Sequence, residues 1–188
     1  MSGCNGGGPL NSFALVAYLP APLGSFIDGL RQELEPGCVA KAHLTILPPR
    51  LLACSPHSAW AQLLETLEEM HPFRVELGGV KIFGRSDVVY LSIGRGYEEL
   101  RGMHAKLDRG YCHLAPEVWD YSPHITLAQN SDASEVARKF QVASRRWREF
   151  PYPGSFMLEH VCFVQNTWGN RWRDLHEYDL SASPVLKR

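Results

Sequence analysis

His43-Leu44-Thr45-Ile46-Leu47 and His124-Ile125-Thr126-Leu127-Ala128 decide how this chain is read. Each runs His, apolar, Thr, apolar. In a β-strand residues i and i+2 share a face. His43 and Thr45 therefore point one way, with Leu44 and Ile46 behind them on a core. His124 and Thr126 repeat the arrangement over Ile125 and Leu127. The chain holds only four threonines, and two of them stand two residues after a histidine. Two such strands facing each other would place two imidazoles and two hydroxyls around one small volume. That set suits acid–base chemistry on a phosphate. Histidine titrates near neutral pH and serves as base or acid, while a hydroxyl donates to a phosphoryl oxygen.

Outward from the motifs, the pattern alternates strands and helices without the strict βα repeat of a parallel sheet. Phe13–Leu19 reads as a buried strand and Leu23–Leu34 as a helix with Phe26, Ile27, Leu30 and Leu34 at helical spacing. After the first motif, Pro48-Pro49 opens a loop, and Ser55-Pro56 gives an N-cap and first helical residue. Phe73–Leu77 alternates as a strand, which Gly78-Gly79 is expected to break. Val80–Phe83 and Val88–Ile93 read as paired strands, and Glu98–Cys112 as a helix. A helix over Ser131–Val142 and closing strands at Phe156–Val164 and Trp172–Leu180 follow the second motif. This order predicts an α+β fold of two pseudo-symmetric lobes. Met1–Ser12, with Gly6-Gly7-Gly8, reads as a flexible tail before a single bilobal domain over 13–188.

The doubled His-x-Thr-x pattern resembles the 2H phosphoesterase superfamily, which includes the LigT-like 2′-5′ RNA ligase proteins and RNA cyclic phosphodiesterases. The resemblance spans about Phe13 to Leu180, and its specific part is the two motifs and their order. It implies antiparallel sheets lining a central cleft, with helices on the outer faces. It also implies a metal-independent phosphodiesterase with His43 and His124 as catalytic groups and Thr45 and Thr126 on the phosphate. The implied substrate is a small nucleotide or short RNA, with a 2′,3′-cyclic phosphate end or a 2′-5′ linkage. Pro48-Pro49-Arg50 after the first motif looks like a bacterial-type branch. Where relatives commonly carry Arg after the second motif, this chain has Gln129.

Other candidates around the substrate are Arg50, which could reach phosphate bidentately, Gln129 as a neutral donor, and Tyr121, Phe83 and Trp168 as stacking surfaces for a base. The remaining six histidines, His57, His71, His104, His113, His160 and His176, lack a Thr partner and read as core or surface residues.

Composition narrows the alternatives. A net charge of −1 provides no basic field for long duplex nucleic acid. Arg145, Arg146 and Arg148 form the densest basic run and read as a solvated helix end. Five scattered cysteines without a C-x-x-C pair argue against a disulfide framework or zinc site and fit a reducing, cytoplasmic setting. No closely spaced His/Asp cluster, Walker-type phosphate loop or apolar run of membrane-spanning length is present. The expectation is therefore a monomer needing no metal or cofactor. Two rival readings are a non-catalytic nucleotide- or phosphate-binding module with the same cleft, and an interaction protein without a small-molecule site.

Overall fold

The computed structural model describes residues 9–84, 86–114, 120–129, 132–169 and 171–182. Eight strands and four helices run in the order β1 (Pro9–Tyr18), α1 (Leu23–Leu34), β2 (His43–Arg50), α2 (Pro56–Leu67), β3 (Phe73–Phe83), β4 (Val88–Ile93), α3 (Tyr97–Leu107), β5 (His124–Ala128), α4 (Ala133–Arg148), β6 (Ser155–Leu158), β7 (His160–Thr167) and β8 (Arg171–Asp179) among the described residues. Short 3₁₀ turns occupy Gly110–Cys112 and Leu180–Ala182.

The strands form two four-stranded antiparallel sheets. One has the order β2-β1-β7-β8, the other β5-β4-β3-β6. The two orders correspond in their first two strands. Each motif strand is an edge strand, and each pairs with the strand that precedes it across a helix. The expected α+β class and pseudo-symmetry of the halves are both present.

Two of the helices do not stay with the sheet they connect. α1 links two strands of the first sheet, yet it packs against β5 and α4 of the second. α3 links two strands of the second sheet, yet it packs against β2 of the first. α2 lies on β8 and α4 on β3 and β4, so each of these covers the sheet of its own half. Leu23, Ile27, Leu30 and Leu34 of α1 join Leu44, Ile46, Ile125 and Leu127 in one continuous core. A smaller cluster of Ala14, Val16, Cys162 and Val164 occupies the opposite face of the first sheet, with Tyr18 and Trp172 against it.

Local chemistry fixes the element ends. Ser55 accepts from the Ser58 amide at 3.1 Å and Pro56 opens α2. Asp132 accepts from the Ser134 and Glu135 amides to start α4. Gly96 caps α3 at φ 89°, and a Cβ there would lie 2.8 Å from the Arg74 carbonyl oxygen, so only glycine fits.

Several boundaries differ from the sequence reading: Pro48-Pro49 does not open a loop but continues β2 to Arg50, α3 stops at Leu107 rather than Cys112, and α4 runs on to Arg148 rather than Val142. The first strand begins at Pro9 rather than Phe13, and the Asn11 side chain both donates to the Leu52 carbonyl (3.1 Å) and accepts from the Leu52 amide (3.2 Å). Residues 1–8 of the expected tail lie outside the described residues. Gly78-Gly79 does not break β3; Leu77 pairs with Ile93 and Val80 with Leu91, so the glycines form a bulge in one continuous strand. The apolar run expected as one strand over Phe156–Val164 is two, β6 and β7, and the chain crosses from one sheet to the other at Glu159.

Candidate active site at the seam of the two sheets

The free edges of β2 and β5 lie beside each other, which brings both motifs to one seam. Leu44, Ile46, Ile125 and Leu127 are fully buried on the core side, while His43, Thr45, His124 and Thr126 are half-buried on the other face. Register supplies their neighbours on that face. Tyr18 stands opposite His43 and Val16 opposite Thr45. Ser92 stands opposite His124 and Tyr90 opposite Thr126.

Both strands lose register at the same motif position. Val16 pairs with Thr45 but Leu15 with Leu47, so Ile46 is an extra residue. Tyr90 pairs with Thr126 but Val89 with Ala128, so Leu127 is an extra residue. A bulge after each threonine bends the strand and re-aims the side chains before it.

The two imidazoles are anchored alike. His43 Nδ1 donates to the Lys41 carbonyl at 2.7 Å and His124 Nδ1 to the Ser122 carbonyl at 2.7 Å. A carbonyl only accepts, so each Nδ1 carries the proton and each Nε2 keeps a lone pair on the far side of the ring. Burial holds His43 below the ordinary imidazole range, and the charges of Arg31 and His124 push the same way against the Lys41 carbonyl. Burial also lowers His124, opposed by the Ser122 carbonyl. Phe83 and Tyr90 stack with centroids 3.9 Å apart, and His124 meets both edge-on at 4.9 and 5.4 Å.

A clamp joins the halves behind the motifs. Tyr121 Oη donates to the Thr45 carbonyl at 2.8 Å, and His104 Nδ1 donates to the Ile46 carbonyl at 2.8 Å. The two rings stack with centroids 3.9 Å apart and nearly parallel. Tyr121 thus holds the first-motif strand by its ring and hydroxyl, a different use from the base-stacking role expected of it.

Arg50 is also placed differently from the expectation. It is 4% exposed; its Nη1 donates to Asp108 Oδ1 and the Cys112 carbonyl, and its Nε to the Pro48 carbonyl at 2.9 Å. Burial raises the Asp108 carboxyl, but the Leu114 amide and the Arg50 guanidinium more than offset it and hold the group below its usual range. The guanidinium serves this ion pair because the β2 end turns inward against the α3 terminus. Gln129 is exposed just past the end of β5, where its backbone N–H donates to Glu35 Oε1 at 2.7 Å. Trp168 is exposed on the β7–β8 turn. Among the described residues, no three His, Cys, Asp or Glu side chains gather as a metal-ligand group. Among the same residues, no helix is long and apolar enough to cross a membrane.

Arg31 and Tyr90 were not anticipated. Arg31 is buried on α1 and donates to the Lys41 carbonyl, the same oxygen that anchors His43. Its signal in the sequence is a lone cation on the apolar stripe Ile27, Leu30, Leu34. Tyr90 shares the Val88–Ile93 face that alternates away from Val89, Leu91 and Ile93.

The profile of the 2′-5′ RNA ligase superfamily matches residues 19–170. The chain belongs to that superfamily. No curated protein matches it. Solved structures overlay it along most of their length. E. coli LigT complexed with NADP⁺ has a TM-score of 0.62 at 19% identity, with 93% of this chain and 99% of that one covered. TT0787 of Thermus thermophilus has a TM-score of 0.59 at 16% identity, with 90% and 98% covered. Kluyveromyces marxianus Usb1 has a TM-score of 0.54 at 13% identity, with 88% and 97% covered. These likenesses show the 2′-5′ RNA ligase-like fold.

Proposed function

We propose that this protein is a metal-independent phosphodiesterase that hydrolyses a small phosphodiester. The substrate class is a 2′,3′-cyclic phosphate end or a 2′-5′-linked oligonucleotide, and the protein works as a cytoplasmic monomer. One observation carries the reading: two imidazoles on the adjacent edge strands β2 and β5, each fixed through Nδ1 to the carbonyl two residues before it, with each Nε2 left to act. Superfamily membership supports it, as does a structure of E. coli LigT complexed with 3′-AMP.

In this mechanism a water oxygen attacks phosphorus while one Nε2 takes its proton. The P–O bond to the leaving ribose oxygen breaks, and the other histidine, protonated at Nε2, gives that oxygen its proton. The two histidines end with exchanged protonation, and one water is consumed. Thr45 and Thr126 donate to the non-bridging oxygens as charge builds on them. The motif bulges support this use by setting the direction of the residues before them.

Turnover of adenosine 2′,3′-cyclic phosphate, with and without EDTA, tests the proposal. Activity is expected in both conditions. His43→Ala and His124→Ala are each expected to lower kcat by on the order of 10²–10⁴-fold, and the double variant by far less than the product. Binding of the nucleotide without turnover would make the chain a phosphate-binding module instead.

A further inference from the structure

The two walls that run outward from the histidines carry opposite charge. On the first sheet, the face of His43 and Thr45 carries Tyr18 opposite His43 and Val16 opposite Thr45, and from Val16 it continues to Cys162 and Glu177 across β7 and β8. Asp174 and Asp179 occupy the same face of β8, opposite Val164 and His160. Tyr18 donates its hydroxyl to Asp174 at 2.5 Å, and Lys41 lies over the Tyr18 ring, 5.0 Å from its centroid. Three carboxylates against one ammonium make this wall acidic.

On the second sheet, the face shared with Thr126 continues through Tyr90 to Lys81, which pairs with it across β3 and β4. Phe83 is two residues further along the same face and stacks on Tyr90. Lys81 is exposed and has no carboxylate partner among the described residues. Farther out, Arg74 and Glu76 pair with each other at 3.1 Å and neutralise one another. Lys81 is two strand spacings from β5, so its backbone is about 10 Å from Thr126. An extended lysine reaches from there to about one nucleotide away from the reacting phosphorus.

We propose that the β3–β4 wall beside His124 is a nucleotide subsite, in which the Phe83–Tyr90 stack takes a base and Lys81 takes a second phosphate. The inference rests on the phosphodiesterase reading above and narrows its substrate class. The substrate carries a further phosphate beyond the reacting one, and that phosphate lies on the second sheet because the carboxylates of the first repel it. A base laid on an aromatic face is held with little regard to its identity, and the ammonium supplies the charge that a bare nucleoside cyclic phosphate would leave unused.

The experiment compares kcat/KM for adenosine 2′,3′-cyclic phosphate with and without a 5′-phosphate. The 5′-phosphorylated substrate is expected to be preferred by on the order of 10-fold at low salt, the preference fading as salt screens it. Lys81→Ala should bring the ratio to about 1 and Lys81→Glu below 1, while Glu177→Gln on the opposite wall keeps the parent ratio. Phe83→Ala should raise KM for both substrates by on the order of 10-fold. A parent ratio of 1, or a preference that survives Lys81→Ala, overturns the subsite while leaving the phosphodiesterase reading intact. If neither substrate turns over and a 2′-5′-linked oligoadenylate is not cleaved either, the phosphodiesterase reading fails. Calorimetric titration with adenosine 3′,5′-bisphosphate and 3′-monophosphate then decides the subsite alone. Tighter binding of the bisphosphate to the parent but not to Lys81→Ala supports it, and equal binding to the parent overturns it.

Discussion

His43 and His124 differ from the six other histidines in being held by a carbonyl two residues upstream, inside a partly desolvated seam. Burial lowers the proton affinity of both in the folded state. In the unfolded chain each returns to the ordinary imidazole value near 6.5. Below that pH the unfolded chain binds more protons than the folded one, so stability falls as pH drops through 6.5 toward the lowered folded values. The contribution is fully present above 6.5. Denaturant midpoints at pH 7.5 and 5.5 are expected to differ, and His43→Gln/His124→Gln should flatten the dependence; a midpoint difference unaltered in that variant would assign the effect to other groups. Activity follows the same sign. The base must be neutral and the acid protonated, and both free-enzyme values are depressed, so the kcat/KM bell should be centred on the acid side of 6.5. Bound phosphate restores some affinity for a proton, so the kcat bell should sit at higher pH. The apparent values belong to the pair.

The elements that carry these residues were legible to different degrees. The His-x-Thr-x alternation marked both motif strands because a half-buried strand must alternate. The same alternation could not show that a bulge follows each threonine, since a bulge changes the partner strand's register and leaves the local pattern alone. Gly78-Gly79 reads equally as a break or a bulge; pairing with β4 decides for the bulge. Phe156–Val164 is apolar almost throughout, and apolarity reports burial without saying which sheet buries it, so the crossing at Glu159 was hidden. Arg50 shows the same limit at a strand end. Its partner Asp108 is 58 positions away, and only the fold brings the two together. Arg50→Ala is expected to cost about 1–3 kcal/mol of stability by leaving the Cys112 carbonyl and the half-buried Asp108 without the guanidinium, with KM of the folded enzyme unchanged. A raised KM with full stability would return Arg50 to the substrate. The Tyr121 clamp makes the complementary prediction. Tyr121→Phe keeps the stack on His104 but loses the bond to the Thr45 carbonyl. One such bond is worth about 1 kcal/mol, so kcat should fall about 5-fold with little change in KM, and an unchanged kcat would show that the clamp does not set the motif geometry.

For the whole molecule, the sequence announced two similar halves but not that they exchange helices. α1 and α3 each leave the sheet they connect and cover the other one, a long-range choice that no local periodicity encodes. The core is accordingly continuous across both sheets. Unfolding is expected to be one cooperative transition, with far- and near-ultraviolet circular dichroism curves coinciding. Amides of β1 and β4 should exchange through the same global opening. Two separated transitions would mean that the halves are independent despite the exchange.

The β3–β4 turn around Gly84 and Asp87 lies at the surface, ahead of the strand that leads into α3 and the second motif. A chain cut there would yield two pieces that cannot close their own cores. The first piece would hold α1 with no β5 to rest on, and the second would hold α3 with no β2. Each piece carries one histidine of the pair and the helix that the other lacks. Reunion of the pieces is then the only route to a complete seam, which makes this architecture a ready-made two-part reporter whose signal is phosphodiester cleavage itself.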